Sequence, residues 1–198
     1  MIWTDRRAAA IALCAISWVI SIELGTSRRA TREASKAPNA LERVVDTRTS
    51  RIFDLAAATA IAGGLGASLT QPRTSIRRPK LAFSVGLILL VGSSLLSTAA
   101  RQHLGKFHRD SLTVHQDHEL IETGPYRRVR HPLYTATIGV FIGMGAVLGN
   151  WISVGLAALP LTALIHRIKV EEKMLTKTLG ERYTNYSERT DHLIPGIW

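Results

Sequence analysis

The fold is decided by GPYRRVRHPLYTATIGVFIGMGAVLGNWISVGLAALPLTALIHRIKVEEK, Gly124–Lys173. Two apolar runs, Leu133 to Leu148 and Trp151 to Ile168, are separated only by Gly149 and Asn150. A connection that short leaves no room for a crossover, so the two runs form an antiparallel helical hairpin. Roughly 20 apolar residues carry a helix across a bilayer, and both runs approach that length. Pro132 suits a first helical turn. Pro160 lies inside the second run and predicts a kink there.

Working outward, three more apolar segments precede the hairpin: Ala8 to Leu24, Ile52 to Leu69 and Leu81 to Ala100. The expected architecture is all-α and membrane-integral, with about five transmembrane helices, a short cytoplasmic β-hairpin and a helical C-terminal tail. Residues 1–100 hold the first three helices and their basic connections. Residues 101–198 hold the last two helices, the tail and the residues with chemistry. The small-residue clusters Gly63, Gly64, Gly66 and Gly139, Gly143, Gly145 suit close helix packing. Arg6 and Arg7 precede the first apolar run as in a signal peptide, but no small-x-small cleavage site follows before Arg28, so the run reads as a helix.

The formal net charge is +10, a balance that in a soluble chain suggests nucleic acid. Here the cations sit in the connections between apolar segments, the distribution of proteins held at an anionic membrane surface. A nucleic-acid partner is therefore not expected. With five passes, nineteen Lys and Arg fall on one side and six on the other. The positive-inside rule then puts the N-terminus outside and the tail in the cytoplasm. The single cysteine, Cys14, allows no intramolecular disulfide. His115-x-x-His118 has metal-like spacing, but only His108 adds a nearby ligand, and no metal is expected.

The connection Arg101 to Arg130 is too patterned for a plain turn. Ser111 to Val114 alternates as a strand, Gln116-Asp117-His118 reads as a turn, and Glu119 to Glu122 as a return strand. Gly124-Pro125 breaks the chain, and His131 falls near a helix N-terminus, where anions bind. Beyond Ile168 the last long helix leaves the membrane through Glu171 and Glu172 and ends or bends at Gly180. Both groups flank one hairpin, so Tyr126, Arg130, His131 and Tyr134 can face His166, Arg167, Glu171 and Glu172. Ionisable side chains clustered where two helices leave a membrane are a candidate functional site. Plainer readings stand beside it. Arg127 and Arg128 suit contacts with anionic lipid. His131 suits a helix cap, Glu171 and Glu172 suit solvated pairs with Arg167 or Lys173, and Tyr183, Tyr186 and Trp198 suit interface anchors.

Leu104 to Ala136 (LGKFHRDSLTVHQDHELIETGPYRRVRHPLYTA) resembles the signature of the isoprenylcysteine carboxyl methyltransferase family, and Glu171 to Trp198 is similar to that family's end. Asp46 to Arg51 faintly resembles an upstream family segment. The resemblance implies a cytoplasmic pocket for S-adenosylmethionine, with an acceptor arriving from the membrane. It departs from the pattern at Ala136, where a glycine is usual, at His108, where an aromatic is common, and at His192, where an arginine usually precedes LIPG.

The methyl donor brings an adenine, a ribose diol, a carboxylate, an ammonium and a sulfonium. Such a ligand wants an aromatic slot, a carboxylate for diol or ammonium, and a cation or helix N-terminus for its own carboxylate. The expected cofactor-binding residues are Tyr126, Arg130, His131, Pro132, Tyr134, Glu171, Glu172 and Tyr183. Arg167, Glu172 and Arg182 are the expected catalytic set, with Arg167 or Arg182 orienting the acceptor. The expected partners are membrane lipids and a lipophilic small-molecule acceptor, with no protein partner; the expected location is a bacterial inner membrane. Two alternatives remain open. Sterol reductases share an RHP-x-Y element and use NADPH, but usually carry Asn before that Tyr and Gly-Glu after it, where this chain has Leu133, Thr135 and Ala136. The other is a membrane protein that keeps the fold without the chemistry.

Overall fold

A computed structural model describes residues 47–70, 76–104 and 120–197. The expected first helix Ala8–Leu24, the connection Thr26–Asn39, Cys14, His108, His115, His118 and Trp198 lie outside them, as does most of the expected β-hairpin. Leu120, Ile121 and Glu122, its described end, belong to no strand; an isolated parallel bridge joins Val129 to Asp191.

The described elements are helices: α1 (Thr47–Thr70), α2 (Pro79–Leu104), a single 3₁₀ turn at Gly124–Arg127, α3 (Pro132–Leu148), α4 (Trp151–Leu156), α5 (Ala158–Leu179) and α6 (Glu181–Glu188). Among the described residues two helical stretches are long and apolar enough to cross a membrane, Pro79–Leu104 and Trp151–Leu179. Helix α3 has 17 residues, about 25 Å at 1.5 Å per residue. That is somewhat short of a hydrocarbon core of about 30 Å.

The hairpin forms as its two-residue connection requires. Gly149 ends α3 at φ 67°, a left-handed conformation that glycine adopts without a side-chain penalty. Asn150 caps α4 by accepting from the Ile152 N–H at 2.8 Å, and its amide donates to the Ala67 carbonyl at 3.2 Å. The returning helix is interrupted at Ala157, between α4 and α5. Pro160 offers no N–H to the Leu156 carbonyl and its ring crowds it, so the ladder breaks at that point.

Helix α2 presents mostly small residues to its neighbours and large apolar ones to the outside. Helix α2 buries Gly86, Leu90, Ser93, Ser94, Ser97 and Ala100 and turns Leu81, Val85, Ile88, Val91 and Leu95 outward. Small residues between helices and large apolar ones outside are what lipid favours, since lipid gives no hydrophobic drive for helices to associate. The Ser94 hydroxyl donates to the Leu90 carbonyl at 2.9 Å, so it is buried without losing a hydrogen bond. A methyl group on Gly86 would lie 2.7 Å from the Gly143 carbonyl and 2.7 Å from Val147 Cγ2; α2 and α3 touch backbone to backbone. Gly139 meets Ser93, Gly145 meets Val154, Gly63 meets Leu156 and Gly64 meets Ser153. Leu90, Phe141, Met144 and Val147 form the centre with Ala60 from α1. Phe53 meets Phe141 edge-on, ring centres 6.4 Å apart. Thus α1 and α2 pack directly on the C-terminal hairpin and fix the ends from which the site residues project.

Candidate active site

The chain leaving the 3₁₀ turn and the chain leaving α6 run side by side. The Arg130 N–H donates to the Asp191 carbonyl at 2.8 Å, the Asp191 N–H to Arg128 at 3.0 Å, and the His131 N–H to His192 at 3.1 Å. The Tyr186 hydroxyl donates to the Tyr126 carbonyl at 2.7 Å, and the Thr135 hydroxyl to the Leu193 carbonyl at 2.7 Å. Gly180, at φ 55°, lets α6 fold back so that Tyr183 and Tyr186 are buried. Both tyrosines, expected as possible interface anchors, are structural members of this corner. Burial pushes the Tyr186 phenol up to about 12. Burial, and then the charge of Glu172, raise Tyr183 further; Tyr183 is therefore a permanent hydroxyl donor at neutral pH.

Glu172, on α5, is the hub. Its Oε1 accepts from Arg130 Nε at 2.9 Å and from the Tyr183 hydroxyl at 3.4 Å, and lies 3.2 Å from His131 Nε2. Its Oε2 lies 3.2 Å from His192 Nε2. Arg130, 8% exposed, spends its remaining donors on the tail: NH1 on the Ser187 carbonyl at 2.6 Å and on the Thr190 carbonyl, and NH2 on His192 Nδ1 at 2.8 Å. One guanidinium thus ties the start of α3 to α5, α6 and the tail. This is the planar, multi-donor geometry that arginine supplies and lysine cannot.

A second chain of contacts runs beside it toward the bundle. The Tyr134 hydroxyl donates to Glu171 Oε2 at 2.7 Å and accepts from Arg167 Nε at 2.9 Å. Arg167 NH1 donates to the Ser50 hydroxyl on α1 at 2.8 Å. The His131 ring stacks on Tyr134, centres 5.4 Å apart and 18° from parallel, and the Arg167 guanidinium carbon lies 5.9 Å from the centre of the Tyr134 ring. His131 Nδ1 is 3.8 Å from Glu171 Oε2. Although His131 occupies the cap position of α3, its side chain makes no cap hydrogen bond and is turned to the carboxylates instead.

Of the residues expected at the site, Arg130, His131, Tyr134, Arg167, Glu171, Glu172 and Tyr183 meet in this network. Pro132 is buried at the first position of α3. Tyr126 is buried behind it, lending its backbone carbonyl. Arg182 lies on the exposed side of α6 and His166 is exposed on α5. Arg127 and Arg128 are also exposed, as a lipid-contact reading requires. Four participants were not expected: Ser50, the carbonyls of Ser187 and Thr190, and His192, marked in the sequence only as a departure from an arginine. Ser50 does fall within Asp46–Arg51, the upstream segment with faint family likeness.

Two adjacent half-buried carboxylates therefore lie beside a stacked aromatic pair, with a buried cation, Arg167, on the side toward α1. The group suits a ligand with cationic and hydroxyl functions on one side and an anionic acceptor on the other. The family whose description is phospholipid methyltransferase matches residues 81–182. The chain is similar to protein-S-isoprenylcysteine O-methyltransferase of Schizosaccharomyces pombe, 33% identical over 111 residues, covering 55% of this chain and 47% of that one. Protein-S-isoprenylcysteine O-methyltransferase A of Arabidopsis thaliana is 28% identical over 115 residues, covering 57% and 58%. The chain spans about half the length of the curated relatives it matches. Among solved structures, the eukaryotic intramembrane Ras methyltransferase (isoprenylcysteine carboxyl methyltransferase) superposes with a TM-score of 0.60 at 23% identity, covering 78% of this chain and 55% of that one. That likeness gives the chain a membrane-embedded helical fold.

Proposed function

Because the chain belongs to the phospholipid methyltransferase family, we propose that the Glu171–Glu172 cluster binds S-adenosylmethionine and directs methyl transfer to a lipophilic acceptor at the membrane surface. The observation that carries this reading is the hub itself: a carboxylate, Glu172, fixed from several sides, next to Glu171 and the stacked His131–Tyr134 pair. The donor set fits the cofactor. Glu171 and Glu172 suit its ammonium and ribose diol, and the ring faces of His131 and Tyr134 suit its adenine or sulfonium. Arg130, whose donors are largely committed to the tail, holds the site together and is not itself the contact for the cofactor carboxylate.

S-adenosylmethionine supplies an electrophilic methyl group on a positively charged sulfur. The protein's contribution is orientation: an in-line displacement gains most from holding the reacting atoms at the right distance and angle. Arg167, held between Tyr134 and Ser50, is placed to orient an anionic acceptor head, while Arg182 on the outer face attracts it. A carboxylate or thiolate acceptor needs no general base. Isoprenylcysteine, for which the relatives are named, and a smaller lipophilic carboxylate or thiol both belong to this class. The test is calorimetric titration of the detergent-solubilised protein with S-adenosylmethionine and, separately, NADPH. Saturable binding of S-adenosylmethionine alone is expected. Binding of NADPH alone would replace the methyltransferase with a reductase, and binding of neither would leave the fold without the chemistry.

The site is further proposed to face the cytoplasm, on the count of nineteen cations against six. A C-terminal epitope should be cleaved by protease in inside-out vesicles and protected in right-side-out ones; the reverse pattern would invert the topology. The relatives named are eukaryotic, so they lend no support to a bacterial membrane.

A further inference from the structure

The two imidazoles on Glu172 are not equivalent. His192 lies between a group that can only donate and one that accepts. Its Nδ1 is 2.8 Å from Arg130 NH2 and its Nε2 is 3.2 Å from Glu172 Oε2. A guanidinium has no acceptor, so Nδ1 must be the acceptor and the proton must sit on Nε2, where it points at Glu172. The geometry therefore selects one tautomer of a neutral ring. Charged and titratable groups face this ring's neighbourhood from each packed element: Arg130 and His131 ahead of α3, Glu171 and Glu172 on α5, and Tyr183 on α6.

The two oxygens of Glu172 are also unequal. Oε1 is met by Arg130, His131 and Tyr183. Among the described residues, Oε2 is met by His192 alone. Oε2 is thus the oxygen with capacity left for a ligand, and His192 is the group that aims it. An apolar side chain at this position would leave Arg130 NH2 without that acceptor and Oε2 without its donor.

We propose that His192 is a positioning residue which, as the Nε2-protonated tautomer, bridges Arg130 to Glu172 and orients Glu172 Oε2 toward the ligand. The functional half of this inference rests on the cofactor-site reading; the bridge itself does not. Two substitutions separate polarity from space-filling. His192→Gln keeps an amide oxygen for Arg130 and an N–H for Glu172, whereas His192→Leu keeps volume and loses both.

The first measurement is made on the wild-type protein labelled with ¹⁵N-histidine, in the absence of ligand, with the His192 signals assigned by their loss in His192→Gln. Nδ1 should show the chemical shift of a bare accepting nitrogen and Nε2 that of a protonated one. The second is S-adenosylmethionine affinity by calorimetry, with thermal melting of each variant recorded alongside. His192→Leu should weaken binding about tenfold, the loss of roughly one hydrogen bond to a charged group, and His192→Gln should restore affinity to within about threefold of wild type. A proton on Nδ1, or equal affinities for Leu and Gln variants that melt alike, would overturn the proposal. If wild type does not bind S-adenosylmethionine but shows the expected tautomer, the cofactor reading fails while the bridge stands.

Discussion

Glu172→Ala is expected to abolish S-adenosylmethionine binding, by more than about a hundredfold, and to destabilise the protein by about 3–5 kcal/mol, the usual cost of removing one partner from a buried ion pair. The Glu172 side chain is 23% exposed and that of its partner Arg130 only 6%, so water compensates little for its loss. Its removal leaves the guanidinium, two imidazoles and the Tyr183 phenol without their shared acceptor. Glu172→Gln retains one oxygen acceptor but sets an amide N–H against one of these donors; it should fall between alanine and wild type. Glu171→Ala removes the partner of Tyr134 but leaves Arg130 paired, so its cost in stability should be the smaller. Thermal melting and calorimetry on the three variants order them. If Glu172→Ala bound the cofactor within threefold of wild type, the hub would be structural only and the assignment of the site would be wrong.

Much of this hub was legible before any coordinates. The strings Tyr126–Tyr134 and Glu171–Glu172 flank one helical hairpin, so a two-residue turn at Gly149–Asn150 already obliges them to face one another. Within α5 the spacing of Arg167 and Glu171, four residues apart, puts both on one face, and Tyr134 bridges them. Backbone acceptors were not legible. The Ser187 and Thr190 carbonyls bind Arg130 because of where α6 ends, and no side-chain pattern encodes that. Nor was the fate of Tyr183 and Arg182: they are neighbours in sequence, yet about 100° of helical rotation buries one and exposes the other. Only the reversal at Gly180 decides which.

The contacts of His192 were not legible for a related reason. Judged as a substitution for arginine, it is a lost charge. In the folded site it fits a position where a second guanidinium would confront Arg130, and where a neutral ring can accept from Arg130 while donating to Glu172. Ser50 escaped notice because a lone serine on a helix is chemically silent until a buried cation is placed against it. Tertiary geometry supplied what residue identity could not.

The same geometry predicts the effect of Arg130→Ala. Arg130 is the one side chain described here that contacts α5, the end of α6 and the tail at once. Its removal takes from Glu172 Oε1 its charged donor, leaving the longer contacts to His131 and Tyr183, takes the guanidinium from the Ser187 and Thr190 carbonyls, and should cost about 3–5 kcal/mol. Because these contacts hold the tail, the loss should be local. Amide exchange across residues 181–193 should quicken sharply, while α2 and α3, joined through Gly86 and Gly143, should exchange as before. Arg130→Lys should repair little, since an ammonium cannot reach three elements as a planar fork does. Arg127→Ala and Arg128→Ala, both at exposed positions, should stay within about 0.5 kcal/mol of wild type. The double variant Arg130→Ala with Glu172→Ala separates the pair from the rest. Each single change already forfeits the interaction between them, so the double should cost less than the sum. What exceeds the Glu172→Ala loss is the share Arg130 spends on the tail. Additive losses would mean that the two side chains act independently, and that Arg130 serves α6 and the tail without fixing Glu172.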